Sequence, residues 1–162
     1  MPRRPFSFLI AGAVVVADRV TKLAVQKLAP PWDTREVIPG FFNIVHTENP
    51  AAAFSLLTAI PQGWRRFFLV ACSAAASALV AVLLWRDGAR SRKLATGLAL
   101  VLGGALGNLY DRAIPGTVTD FLDFYAGSFH WPAFNIADSA ITTGACLILL
   151  DMLMAKRAPR KD

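Results

Sequence analysis

Nineteen consecutive residues without a charge, Phe67 to Trp85, limit what this chain can fold into more than any other feature of it. As a helix they rise about 28 Å, close to the thickness of a bilayer's hydrocarbon core. Three further apolar stretches follow the same rule less cleanly: 6–28, interrupted by Asp18, Arg19 and Lys22; 94–112; and 136–154. With 55% hydrophobic and 17% charged residues among 162, the composition excludes a disordered chain. It also excludes an ordinary soluble domain, in which about 25% of residues are charged. The fold class this predicts is an all-α membrane protein, a four-transmembrane-helix bundle forming a single integral membrane domain over residues 1–162.

The net charge of +6 would suit nucleic acid only if the basic residues shared a soluble face, and here they cluster at the ends of apolar segments. Ten of the seventeen cations lie in the N-terminal tail, between the second and third spans, and in the C-terminal tail; three acids accompany them, leaving +7. The other side holds seven cations and eight acids, or −1. Lysine and arginine are retained on the cytoplasmic side, so both termini are expected there. Residues 1–17 have the look of a secretory signal, but three later spans favour a retained anchor. Cys72 and Cys146 each sit inside an apolar block, so neither a disulfide scaffold nor a four-ligand zinc site is available.

The segments on the outer side are expected to carry a small β element, approximately 35–54 and 117–125. Glu36 to Thr47 reads as two strands around Pro39-Gly40, with apolar and β-branched side chains on either side. Tyr125, Phe129, Trp131 and Phe134 supply the rings found at a membrane-water boundary.

Acids near a membrane are costly, and usually face a protein interior or a wet cavity. Asp18, Asp111, Asp120 and Asp138 all fall at the outer ends of their spans or just beyond, and Asn49, Asn108 and Asn135 collect at the same level. Helical spacing groups Asn108 with Asp111 and Arg112, Asp18 with Lys22, and Asn135 with Asp138. The pairs Asp111-Arg112 and Asp18-Lys22 read as neutralising contacts between spans. Asp120 and Asp138 differ, because neither has a cation three or four residues away. Two carboxyls in apolar surroundings share one proton more readily than they both ionise, so one can take a proton from water while the other polarises a carbonyl. Spacing alone leaves the plainer alternative open, with Asp138 a helix N-terminal acid and Asp120 a solvated loop acid. His46 and His130 lack the spacing of a metal site, and no serine sits in a GxSxG setting.

Five motifs occur in order: Asp18-Arg-Val-Thr-Lys22, Asn49-Pro-Ala-Ala-Ala-Phe54, Gly107-Asn-Leu-Tyr-Asp-Arg112, Val118-Thr-Asp-Phe121 and Phe134-Asn-Ile-Ala-Asp-Ser139. Together they resemble lipoprotein signal peptidase, the bacterial signal peptidase II. The resemblance implies an aspartic endopeptidase that removes the signal peptide of prolipoproteins by cleaving before a diacylglyceryl-modified cysteine. It assigns catalysis to Asp120 and Asp138, and substrate binding or support of that pair to Asn49, Asn108, Arg112 and Asn135. Asp18, Lys22 and Asp111 become structural polar residues, and the β element an outer cradle. It further implies no metal or cofactor, the bacterial inner membrane with the site near its periplasmic face, and membrane lipid as a partner. A monomer is expected, and no nucleic acid. Two positions depart from the family pattern: Arg19 stands where glutamine is common, and Ala51 where glycine is. The competing reading is a small proton- or ion-coupled transporter built on the same acids, which needs polar residues continuing to the inner side.

Overall fold

The computed structural model describes residues 3–50 and 61–157. It is mostly helical, with α1 (Arg3–Leu28), α2 (Gln62–Asp87), α3 (Arg92–Ala113) and α4 (Ile136–Arg157). Between them lie β1 (Thr34–Ile38), β2 (Phe42–Asn49), β3 (Val118–Ala126) and β4 (Phe129–His130).

Helix α3 is the central post, packed against each of the other three. Its small residues allow this. A Cβ on Gly103 would come within 2.6 Å of the Ala11 carbonyl oxygen of α1, and one on Gly104 would overlap the Ala137 carbonyl of α4. Helices that bury no apolar face in water need such close backbone approach to hold together. Leu84, Leu98, Ala99, Leu102 and Ala11 form the buried apolar core. The Ser91 hydroxyl starts α3 by accepting from the Lys93 and Leu94 amides.

Among the described residues three helices are long and apolar enough to cross a membrane: α2, α3 and α4 over Ile136–Ala155. Helix α1 has the length but not the apolarity, because Asp18, Arg19 and Lys22 interrupt it. Its pattern is inverted relative to a soluble helix. Ser7, Ala11, Asp18 and Lys22 are buried, whereas Phe6, Leu9, Val16 and Val20 point outward. Helix α2 starts five residues before the apolar run, since Pro61 supplies its N-cap position and Arg65 and Arg66 continue the helical turn.

The sheet is antiparallel in the order β1-β2-β3-β4. The β1–β2 hairpin turns at Pro39-Gly40, where Gly40 has φ 77°, a left-handed conformation that favours glycine. Along β2 and β3 the pairing runs Ile44↔Leu122 and then Thr47↔Asp120, so β2 carries one extra residue. This bulge buries both Val45 and His46, and shifts which later β2 residues face the bundle. Phe124 anchors the sheet's apolar side, with its ring 4.8 Å from Phe42 and 5.9 Å from Phe134. The two-residue β4 was not expected from the sequence. Residues 51–54 of the anticipated β element, Ala51 among them, lie outside the described residues.

Candidate active site

The site is assembled from the bundle core outward, starting with a buried cation. Lys22 is fully buried, and its ammonium spends its three donors on Asp111 Oδ2 at 2.5 Å, Asp18 Oδ2 at 2.7 Å and Asn108 Oδ1 at 3.2 Å. Asp111 Oδ1 accepts from Arg19 at 2.6 Å, and that guanidinium also lies 4.4 Å from the Tyr110 ring centroid. Two acids and two cations thus neutralise one another in a place where an unpaired charge would be costly. Asp18 Oδ1 accepts from the Ala137 amide at 3.0 Å, satisfying one of the orphan donors at the start of α4. Gly107 makes room for it, since a Cβ there would sit 2.7 Å from Asp18 Oδ2.

The Asp18-Lys22 pair expected from spacing is formed. The Asp111-Arg112 pair is not: adjacent helix residues face different ways, and Asp111 points to α1. Arg112 instead borders a small cleft of about 80 Å³ with Asn49, Arg65, Arg66 and Thr117. Among the described residues its Nε is a buried side-chain atom without a hydrogen-bond partner.

Two amides carry the ion cluster's order to two carboxyls. With its oxygen held by Lys22, Asn108 presents Nδ2 to Asp138 Oδ1 at 2.7 Å. Asn135 accepts from the Asp138 amide at 3.0 Å, the geometry of a helix N-cap, which turns its Nδ2 toward Asp120 Oδ1 at 2.7 Å. Asn49, at the end of β2, donates from Nδ2 to Asp120 Oδ2 at 3.0 Å. Thr47, opposite Asp120 in the sheet, fixes the strand by donating to the Asp120 carbonyl at 3.0 Å.

Asp120 is 4% exposed, so it is not a solvated loop acid. Burial pushes its carboxyl up to about 6, and the negative charge of Asp138 adds to the rise, against the opposing bonds from Asn49 and Asn135 and the charge of Lys22. The two carboxyls therefore feel each other, and each is met by an amide donor set to support its anionic form. Such a pair is suited to hold one proton between its members.

A second polar group, which sequence reasoning missed, locks the strands that carry Asn49 and Asp120. Glu48 accepts from Thr117 at 2.6 Å, Thr119 at 2.9 Å and His46 at 3.1 Å. Burial pushes its carboxyl up, but the bonds from Thr117, His46 and Thr119 outweigh that and hold it below the ordinary range. His46 also bonds the Ala29 carbonyl after α1, and Gln26 of α1 donates to Thr119. His130 bonds Asp123. Both histidines are accounted for by protein partners.

The family model described as Signal peptidase (SPase) II matches residues 10–154. This chain belongs to the signal peptidase II family. The lipoprotein signal peptidase of Solibacter usitatus is 47% identical over 148 residues, which cover 91% of this chain and 90% of that protein. The one from Paraburkholderia phymatum is 46% identical over 151 residues, covering 93% and 89%. Two solved bacterial membrane enzymes, determined by the in meso method at 2.3 and 1.9 Å resolution, share the fold with TM-scores of 0.84 and 0.80. They are 31% and 33% identical to this chain and cover 98% and 92% of it, with 93% of each solved chain matched. The chain is an integral membrane protein and a peptidase. Arg19, a departure from the expected motif, makes a direct ion pair to Asp111.

Proposed function

We propose that the protein removes the signal peptide of diacylglyceryl-modified prolipoproteins, with Asp120 and Asp138 acting together on one water. The observation that carries this reading is the carboxyl raised by burial beside a second carboxyl, each held by its own amide donor. One carboxylate takes a proton from water as the water oxygen bonds to the carbonyl carbon of the residue before the cysteine. The protonated partner gives its proton to the carbonyl oxygen, producing a gem-diol. Collapse of that intermediate breaks the C–N bond as one gem-diol hydroxyl returns its proton to the second carboxylate, while the proton held by the first carboxyl goes to the leaving amine. The products are a signal peptide with a new carboxyl end and a protein that begins at its lipidated cysteine. Asn49, Asn108 and Asn135 orient the pair, and Arg112 lies in the cleft beside Asn49, where substrate backbone would approach. Asp18, Lys22 and Asp111 hold the helices that carry these groups.

In this reading all four helices span the inner membrane as one domain, with α1 as the fourth span because Asp18 and Lys22 face inward while Phe6, Leu9, Val16 and Val20 face outward. Both termini are cytoplasmic, and the sheet rests at the periplasmic face as a cradle for the substrate. A lipidated cysteine is anchored at that interface, which accounts for acids gathered at span ends. The enzyme works as a monomer without metal or cofactor. A transporter would need polar groups continuing through the bundle, whereas among the described residues the core beyond the ion cluster holds no buried charge: it is Leu84, Leu98, Ala99 and Leu102, together with the hydroxyls of Ser7 and Ser77.

The test is an electrophoretic mobility-shift assay on purified protein, with a proprotein offered with and without its diacylglyceryl group. Cleavage of the lipidated form alone, unchanged by a chelator, is the expected result. Equal cleavage of both forms overturns the substrate assignment, and loss of cleavage with the chelator overturns the metal-free mechanism.

A further inference from the structure

At the end of the bundle opposite the carboxyl pair, α2, α3 and α4 enclose a groove of about 750 Å³. Its rim carries Arg90, Arg92 and Lys93, while its walls are apolar, with Leu94, Leu98, Ile148 and Met152. Two acids, Asp87 and Asp151, share that rim, so its three cations leave it a net charge of +1. Asp151 accepts from the Ser91 hydroxyl that caps α3, and Asp87 lies 3.5 Å from Arg90. Among the described residues neither Arg92 nor Lys93 is in an ion pair; the Lys93 ammonium rests 2.8 Å from the Met154 sulfur, a weak acceptor. Two cations outside any ion pair, on a rim of net positive charge above an apolar trough between membrane helices, match one ligand chemistry, a phosphate joined to a hydrocarbon chain.

We propose that this groove binds one anionic phospholipid of the adjoining leaflet, with its phosphodiester on Arg92 and Lys93 and an acyl chain along Leu94, Leu98 and Ile148. A zwitterionic headgroup brings no net charge to the rim, and free phosphate leaves the apolar walls uncovered. The site is remote from the carboxyl pair and does not depend on the protease reading.

Native mass spectrometry of the detergent-solubilised protein tests it, with phosphatidylglycerol, phosphatidylcholine, chain-free glycerophosphoglycerol and inorganic phosphate as probes. One phosphatidylglycerol per chain is expected to bind, and phosphatidylcholine at least about tenfold more weakly, with neither chain-free probe competing. Arg92→Gln and Lys93→Gln each weaken phosphatidylglycerol binding about fivefold, and together about 25-fold. Both residues lie in the first turn of α3, where removing a cation does not strain the helix dipole, so the melting temperature is not lowered. Lys27→Gln, at the other end of the bundle, leaves binding unchanged. Equal binding of the two phospholipids, displacement by free phosphate, an unaffected double variant, or an equal loss in Lys27→Gln would each overturn the proposal.

Discussion

Replacing Asp120 by asparagine should alter stability with a pH dependence that the site itself dictates. Burial, reinforced by the charge of Asp138, raises this carboxyl from 3.8 to about 6 in the folded protein. A carboxyl whose folded value lies above its unfolded one binds its proton more tightly when folded, so its ionisation opposes folding. Below 3.8 both states are protonated and the penalty is absent. It grows as pH climbs to 6 and is complete above that, at about 3 kcal/mol. Asparagine cannot ionise and escapes the penalty. It carries instead a fixed loss of about 1 kcal/mol, because one of the donors Asn49 and Asn135 then meets an NH2 group rather than an oxygen. The variant is therefore slightly less stable than the wild type near pH 4 and about 2 kcal/mol more stable at pH 8. Thermal unfolding in detergent reads the change between those pH values, in which the fixed loss cancels. For a chain of this length the melting-temperature difference should swing by about 5–10 °C in the variant's favour. A difference that stays flat from pH 4 to 8, or that turns against the variant as pH rises, would refute the reasoning.

Other consequences follow from the same contacts. Lys22→Met strands Asp18 and Asp111 as buried acids with only Arg19 remaining, and should cost about 3–5 kcal/mol of stability, measured by thermal unfolding. Gly104→Ala places a methyl against the Ala137 carbonyl and must push α4 away from α3; a lowered melting temperature and reduced cleavage are expected together. Asn49→Ala removes a bond that holds the Asp120 carboxyl down, so the alkaline limb of the kcat/KM profile should move to higher pH.

Parts of this arrangement are written locally in the chain, and parts are not. The apolar run of α2, the Pro39-Gly40 turn and the Asn135-to-Asp138 cap all depend on residues a few positions apart, and spacing rules reach them. The partner of Asp111 is different. Its neighbour Arg112 offered an obvious cation, yet Arg19 and Lys22 reach it from 92 and 89 residues away, because only the packing of α1 on α3 decides which face of the helix end is buried. Glu48 was invisible for a similar reason. Its donors Thr117 and Thr119 lie across a strand pairing whose register is changed by the bulge at Val45 and His46, and nothing in the local pattern announces that bulge. Asp120 and Asp138 stood out as acids lacking a local cation, but the amides that link them come from α3, β2 and the entrance to α4.

The most direct test of the two-carboxyl account is the single-turnover rate of prolipoprotein cleavage for Asp120→Asn, Asp138→Asn and the double variant, each shown to be folded by thermal unfolding. If the two groups work as one unit on one water, each single variant loses about 10²–10⁴-fold, and the double variant is no slower than the worse single. A folded single variant that cleaves at the wild-type rate, or two losses that multiply in the double variant, would contradict it.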